Sequence, residues 1–361
     1  MSVDQDNPTG LLATLRGWLG GAESEDTSGA EGADIIAFEG AAQEDEQPNL
    51  FAVDPAWPVV TGSWVSGHNA SGVDPEELRS EVMGAIGQMR GSVQTGGDRM
   101  FLSALYAQLG DRSLGLPDFP ETPLRLDQLV QEEEPNSQQV MRCIEGDPKL
   151  VGRVWGRARS ARFPSAPSSL DMAVSRIGIV EVWRLSLETA LDNLEIRPGP
   201  YKVIADGMRL HGSLVGEVTA GLAGQNRSQG FMAGLLHDVG MLLILQAASQ
   251  NDAELSTVTS VIDQHHAAIS VLIVDAWHLD RSIIPAVAFH HNPNVNNAGP
   301  RDLARLLALA DIAVDGELDR RAGRNSNFIS AIARFTRSRV LASKALNLAA
   351  TAIDRQEKNS E

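Results

Sequence analysis

Phe231-Met-Ala-Gly-Leu-Leu-His-Asp-Val-Gly-Met-Leu-Leu-Ile-Leu245 is apolar or glycine at every position except His237 and Asp238. A helix that is apolar on all sides is a buried helix, so the pair is predicted to lie inside a helical core. A carboxylate in such surroundings is very costly unless it is paired, hydrogen-bonded or bound to metal. Asp238 therefore needs a partner, and the neighbouring imidazole is the first candidate. Taken alone, the pair supports two accounts. One is a His–Asp hydrogen bond that tightens helix packing; the other is the centre of a metal site.

The positions around the pair bear on that choice. Of the eight histidines, seven fall between 211 and 291: His211, His237, His265, His266, His278, His290 and His291; only His68 lies elsewhere. His211 precedes His237 by 26 residues, His266 follows it by 29, and His290 and His291 follow by 53 and 54. Asp311 comes 73 residues after Asp238. Each interval suits about one helix and a turn, so successive helices can bring one ligand each to a common point. His211 sits among apolar residues at helical spacing in Met208-Arg-Leu-His-Gly-Ser-Leu-Val-Gly-Glu-Val218. His290 and His291 close an apolar helix just before Asn292-Pro293, where the chain must leave it. Asp311 is an acid inside Leu306-Leu-Ala-Leu-Ala-Asp-Ile-Ala-Val314. The candidate metal ligands are thus His211, His237, Asp238, His266, His290, His291 and Asp311. Imidazole and carboxylate without thiolate suit iron, manganese, zinc, nickel or magnesium. His265 reads as peripheral, replacing His266 only if the register slips by one. His278 reads as a surface or packing histidine.

Composition sets the frame. The chain of 361 residues is 43% hydrophobic but only 5% aromatic, with a formal charge of −17. Residues 1–50 hold eleven acids against the single base Arg16, or −10, which leaves −7 for the rest. No basic stripe is present, so direct nucleic-acid binding is not expected. Cys143 is the only cysteine, which excludes an internal disulfide and a cysteine-based zinc cluster. The longest apolar run, Met241 to Leu245, is far too short to span a bilayer. With no basic region leading into an apolar stretch at the N-terminus, the expected location is cytoplasmic.

The pattern along the chain is helical throughout, with no period-2 alternation bounded by turns. Residues 1–48 read as a disordered acidic tail. Within it, residues 9–20 form a short amphipathic segment, either a partly ordered terminus or a docking helix for a partner groove. Residues 49–112 read as a small helical or irregular region. There Asp74-Pro-Glu-Glu77 makes a helix start, with a second helix at 98–109. Helices are predicted near 123–132, 135–145, 147–160, 168–177 and 179–193, the fourth stopping at Gly178. Longer apolar helices follow from 201. The main domain is placed at 113–316, with a C-terminal helical extension over 317–361. Its helix at 326–356 would cap the domain or form an oligomer surface.

The ordered set His211, His237-Asp238, His266, His290-His291 and Asp311 resembles the HD phosphohydrolase superfamily, and more narrowly its HD-related output domain, HDOD. The carrying segments are Phe231–Gly240, His266–Trp277 and Ile284–Pro293. Leu116-Pro-Asp-Phe-Pro-Glu-Thr-Pro123, Glu145–Trp155 and Ser169–Arg184 are similar to the helical first lobe of that family. The resemblance covers about 116–315 and implies an all-α, HD-type multi-helix bundle in two lobes. Cyclic-di-GMP phosphodiesterases of the superfamily carry a lysine in a His-Asp-x-Gly-Lys string, where this chain has Met241. They continue from His-His into Gly-Tyr-Pro, where this chain reads His290-His-Asn-Pro-Asn. The resemblance therefore implies a signal-transduction output module acting through a protein partner or a nucleotide ligand, with a divalent metal at the His/Asp cluster or none. The alternative it implies is a metal-dependent phosphohydrolase of (cyclic di)nucleotides, for which Arg281 or Arg301 would have to supply the missing cation.

Overall fold

The computed structural model describes residues 73–132, 137–159, 166–291, 303–323 and 338–360, together with Ile332 and Thr336. The acidic tail, the segment at 9–20, His68, Arg301 and the start of the C-terminal helix read at 326–356 lie outside the described residues. Among those described, the regular structure is helical and there is no strand.

Local signals set the helix starts. In α1 (Pro75–Ser92) the Asp74 carboxylate accepts from the Glu76 amide at 3.0 Å with Pro75 in the first turn. In α2 (Gly96–Gly110) the Thr95 hydroxyl accepts from the Asp98 amide. Then come α3 (Glu121–Val130), α4 (Ser137–Ile144) and α5 (Pro148–Ala158), the last capped by Asp147. α6 (Leu170–Ile177) is capped by Ser169 and stops at Gly178, whose φ of 80° is open to glycine. α7 (Ile179–Leu191) starts at once from the same glycine.

The second half carries the longer helices: α8 (Pro200–Leu222), α9 (Arg227–Leu236), α10 (Val239–Asn251), α11 (Leu255–Ala276), α12 (Ile284–Phe289), α13 (Leu303–Arg321) and α14 (Arg339–Ser360). Helices α3 to α7 pack on one another as a first lobe. The second lobe is built on α8, which meets α9, α10, α13 and α14. Helices α1 and α2 lie on α11 and α10, so the residues ahead of the first lobe pack on the second. Helix α14 lies across α8 and α13, held by Arg355 on Glu217 and by Arg321 on Asp354 and Glu357.

Side chains tie the lobes together. The Trp183 ring of α7 meets Phe231 of α9 with centroids 5.5 Å apart, and both are fully buried. Ser213 of α8 donates to Glu188 of α7 at 2.5 Å. At the other edge, the Trp277 indole donates to the Pro117 carbonyl at 3.1 Å and its ring meets Phe119.

The stretch Phe231–Leu245 differs from a single buried helix. It is buried throughout, but the chain turns at His237–Asp238, where Asp238 has φ −109° and ψ 12°. The turn brings α9 along α8 and α10 along α11. By length and composition Gly224–Asn251 would cross a membrane, yet 94% of its most apolar window is buried within the fold.

Glycines make these close approaches. A Cβ on Gly234 would lie 2.6 Å from the backbone of Gly216 in α8, and one on Gly240 would lie 2.2 Å from the His266 carbonyl oxygen in α11. Backbone on both sides leaves no flexible side chain to yield. Gly234→Ala is therefore expected to destabilise the full chain by about 3 kcal/mol. Urea unfolding checks this; an unchanged midpoint would contradict the α8–α9 contact.

Candidate metal centre

Five elements of the second lobe deliver the cluster. His211 comes from the middle of α8, His237 and Asp238 from the α9–α10 turn, and His266 from α11. His290 and His291 follow the end of α12, and Asp311 comes from α13. All seven residues singled out in the sequence converge, in two groups whose ligand atoms lie within 4.8 Å of one another. One group is Asp238, His266, His290 and His291; the other is His211, His237 and Asp311.

Hydrogen bonds orient the rings. The Nδ1–H of His237 donates to the Gly234 carbonyl at 2.7 Å, that of His266 to Ile262 at 2.6 Å, and that of His290 to Val287 at 2.7 Å. A carbonyl can only accept, so in each ring Nδ1 carries the proton and a neutral ring turns its Nε2 lone pair into the cluster. Each partner carbonyl lies three or four residues back along the chain, so the approach of the chain to its turn presets the ring.

Asp238 sits where the lone pairs meet. Its Oδ1 is 3.4 Å from the Nε2 atoms of both His266 and His290, and its Oδ2 is 3.2 Å from the Nε2 of His237. His266 and His291 face each other Nε2 to Nε2 at 2.8 Å. On the other side, His211 Nε2 is 3.0 Å from Asp311 Oδ1, which is also 3.7 Å from His237 Nε2. The Asp238 Oδ1, His237 Nε2 and His290 Nε2 atoms are buried without a hydrogen-bond partner. Imidazole nitrogens and carboxylate oxygens gathered in a buried pocket suit a cation, either a proton shared between them or a metal ion.

The electrostatics divide the cluster. Burial pushes the His237 imidazole down, but Asp238 and then Asp311 pull it up to about 9. Burial also lowers His211, and Asp311 followed by Asp315 outweighs it, leaving a net rise. His266 goes the other way, because burial exceeds the pull of Asp238. His291 falls well below the usual histidine value through burial and the charges of His290 and His266. Burial would raise the Asp238 carboxyl, yet the imidazoles around it, His237 foremost, hold it well below the carboxylate range. The downward shift favours the neutral rings of His266 and His291, the form in which imidazole acts as a ligand, while the upward shift of His237 favours its charged form, whose proton a metal would displace.

Three features were missed in the sequence. Asp315, one turn beyond Asp311 on α13, has Oδ1 3.5 Å from His211 Nδ1; its i, i+4 spacing from Asp311 was the available signal. Ser270 of α11 accepts from the Gly240 amide at 2.8 Å and pins the turn that carries the pair. The carbonyls that orient the rings leave no trace in side-chain identity. Of the two arginines weighed as phosphate partners, Arg281 is exposed and pairs with Asp275 at 3.4 Å. His278 is exposed. His265 is buried with both ring nitrogens unpartnered, and burial followed by the charge of His266 pushes it down to about 4.

The family model of the HDOD domain matches residues 116–293, which take in the first lobe, the second lobe from α8 to α12 and the ligands from His211 to His291. The chain is through this stretch a member of the HDOD-domain family. No curated protein matches the sequence. Among solved structures, an HDOD domain protein of unknown function from Geobacter sulfurreducens is 18% identical, with 73% of this chain and 96% of that one covered at a TM-score of 0.49. A provisionally named metal-dependent phosphohydrolase from Shewanella amazonensis SB2B is 19% identical, with 72% and 100% covered at 0.48. The MmoQ response regulator from Methylococcus capsulatus is 22% identical, with 63% and 94% covered at 0.31. Likeness this distant carries nothing about activity.

A buried ring without partners is a burden that an apolar side chain lifts. His265→Leu is expected to raise stability by about 1 kcal/mol and to leave metal content unchanged. Chemical unfolding together with metal analysis checks both; a loss of stability or of metal would contradict the peripheral role of His265.

Proposed function

We propose that this chain is a regulatory output module in which a divalent metal, held by the His/Asp cluster, ties together the helices of the second lobe. The observation that carries this reading is the buried convergence of the His237, His266 and His290 nitrogens on the Asp238 carboxylate. The residues suit a borderline or hard cation: five imidazoles and two carboxylates, with no sulfur. His266, His290 and His291 with Asp238 would hold one ion, and His211, His237 and Asp311 a second, with Asp238 between the two groups. A bound ion would supply positive charge to a dry carboxylate–imidazole cluster. The protein's own part is to hold five elements at one point, so that occupancy and helix arrangement are linked.

Two features favour a role other than catalysis. Met241 occupies the position where the superfamily's phosphodiesterases resemble one another in carrying lysine, and its side chain is buried in the core. Among the described residues, Asp238 and Asp311 pair with histidines alone, so no Arg or Lys head stands beside them to receive a phosphate. Signal transfer would then run through a protein partner or a nucleotide ligand. A cytoplasmic setting suits a chain whose one cysteine, Cys143, cannot form an internal disulfide.

The test uses purified full-length protein. Elemental analysis is expected to find stoichiometric iron, manganese, zinc, nickel or magnesium, lost in both His237→Ala and Asp238→Ala. With added manganese or iron, the wild type is expected to leave cyclic dinucleotides and nucleotides intact. Metal-free wild type, or full metal in both variants, overturns the metal centre. Turnover of either substrate overturns the non-catalytic reading in favour of a phosphohydrolase.

A further inference from the structure

The four innermost rings are not oriented alike. His237, His266 and His290 each donate from Nδ1 to a carbonyl of the preceding turn. The Nδ1 of His211 instead faces a carboxylate, Asp315 Oδ1, at 3.5 Å, while its Nε2 meets Asp311 Oδ1 at 3.0 Å. Asp311 and Asp315 are one turn apart on α13, so they share a helix face. Asp311 hydrogen-bonds the His211 ring at Nε2, and Asp315 stands beside its Nδ1 at ion-pair distance. The ring stands between Asp315 and the atoms that converge with Asp311, so Asp315 faces His211 from behind and not the cluster itself.

We propose that Asp315 is the positioning residue of the His211–His237–Asp311 subsite. It keeps the proton on His211 Nδ1, leaves Nε2, which here donates to Asp311 Oδ1, as the nitrogen that would turn to metal once its own proton is displaced, and makes the imidazole a stronger donor to metal. This proposal rests on the metal reading given above. A carboxylate behind a metal-binding imidazole does two things that a carbonyl does not: it adds a full negative charge, and it raises the basicity of the ring. Beyond the shared Asp238, this half of the cluster then carries two carboxylates, Asp311 and Asp315, which match the charge of a divalent ion. The other half has backbone carbonyls, not carboxylates, behind the His266 and His290 rings. The two subsites therefore depend on different parts of the protein. One is tuned by α13, the helix against which α14 is clamped by Arg321. The other is tuned by α11 and α12.

The experiment is a chelator-competition titration of the full chain with manganese and with zinc, for the wild type, Asp315→Asn and Asp315→Glu. The expected result is two binding steps in the wild type. In Asp315→Asn one step is weakened about 10- to 100-fold and the other is unchanged, while Asp315→Glu recovers most of the loss. Two unchanged steps in Asp315→Asn overturn the positioning role alone. No binding by the wild type overturns the metal reading, and this inference with it. A measurement without substitution stands beside these: ring ¹⁵N NMR of the wild type loaded with zinc. His211 is expected with Nδ1 protonated and Nε2 bound; a bare Nδ1 overturns the proposal even where the variants fold poorly.

Discussion

A carboxylate cannot be carried into an apolar helical core alone, and the surroundings of Asp238 answer that constraint. Its two oxygens face the Nε2 atoms of His237, His266 and His290. Those nitrogens face it because each ring has already committed its other nitrogen to a carbonyl of its own turn. The backbone thus aims the rings, the rings enclose the carboxylate, and the enclosure asks for positive charge. In water such an arrangement would be weak; in a dry core each mismatch of donor and acceptor carries a large penalty.

The fold around the cluster follows from the same demand. Ligands on α8, α11, α13 and two turns can meet only if the helices approach closely. Gly234 and Gly240 permit this where a methyl group would strike backbone. Helix α14 presses on α8 and α13, the helices that hold His211 and Asp311. The first lobe reaches α8 through Ser213 and Glu188, two residues from His211 along the same helix. Both the first lobe and the C-terminal helix are therefore one packing contact from the cluster.

Much of this was legible in the residues. The isolated pair in Phe231–Leu245 announced burial, and the spacing of His211, His266, His290, His291 and Asp311 announced convergence. The cap at Asp74 and the stop at Gly178 placed helix ends within a few residues. The turn at His237–Asp238 was not legible, because an unbroken apolar run has the same pattern whether or not it bends. Ring orientation was hidden as well, since carbonyl acceptors are common to every residue. Asp315 was overlooked because an acid on a mixed helix reads as surface until its neighbour across the lobe is known. His265 and His266 could be separated only by the register of α11, which turns one toward Asp238 and leaves the other unpartnered in the core.

X-ray absorption at the metal edge of the purified protein tests the central claim most directly. A metal held by this cluster is expected to show a shell of nitrogen and oxygen scatterers at about 2.0–2.2 Å, with the outer-shell signature of several imidazole rings and no sulfur. A protein without bound metal, or a metal surrounded only by water oxygens, would contradict the account.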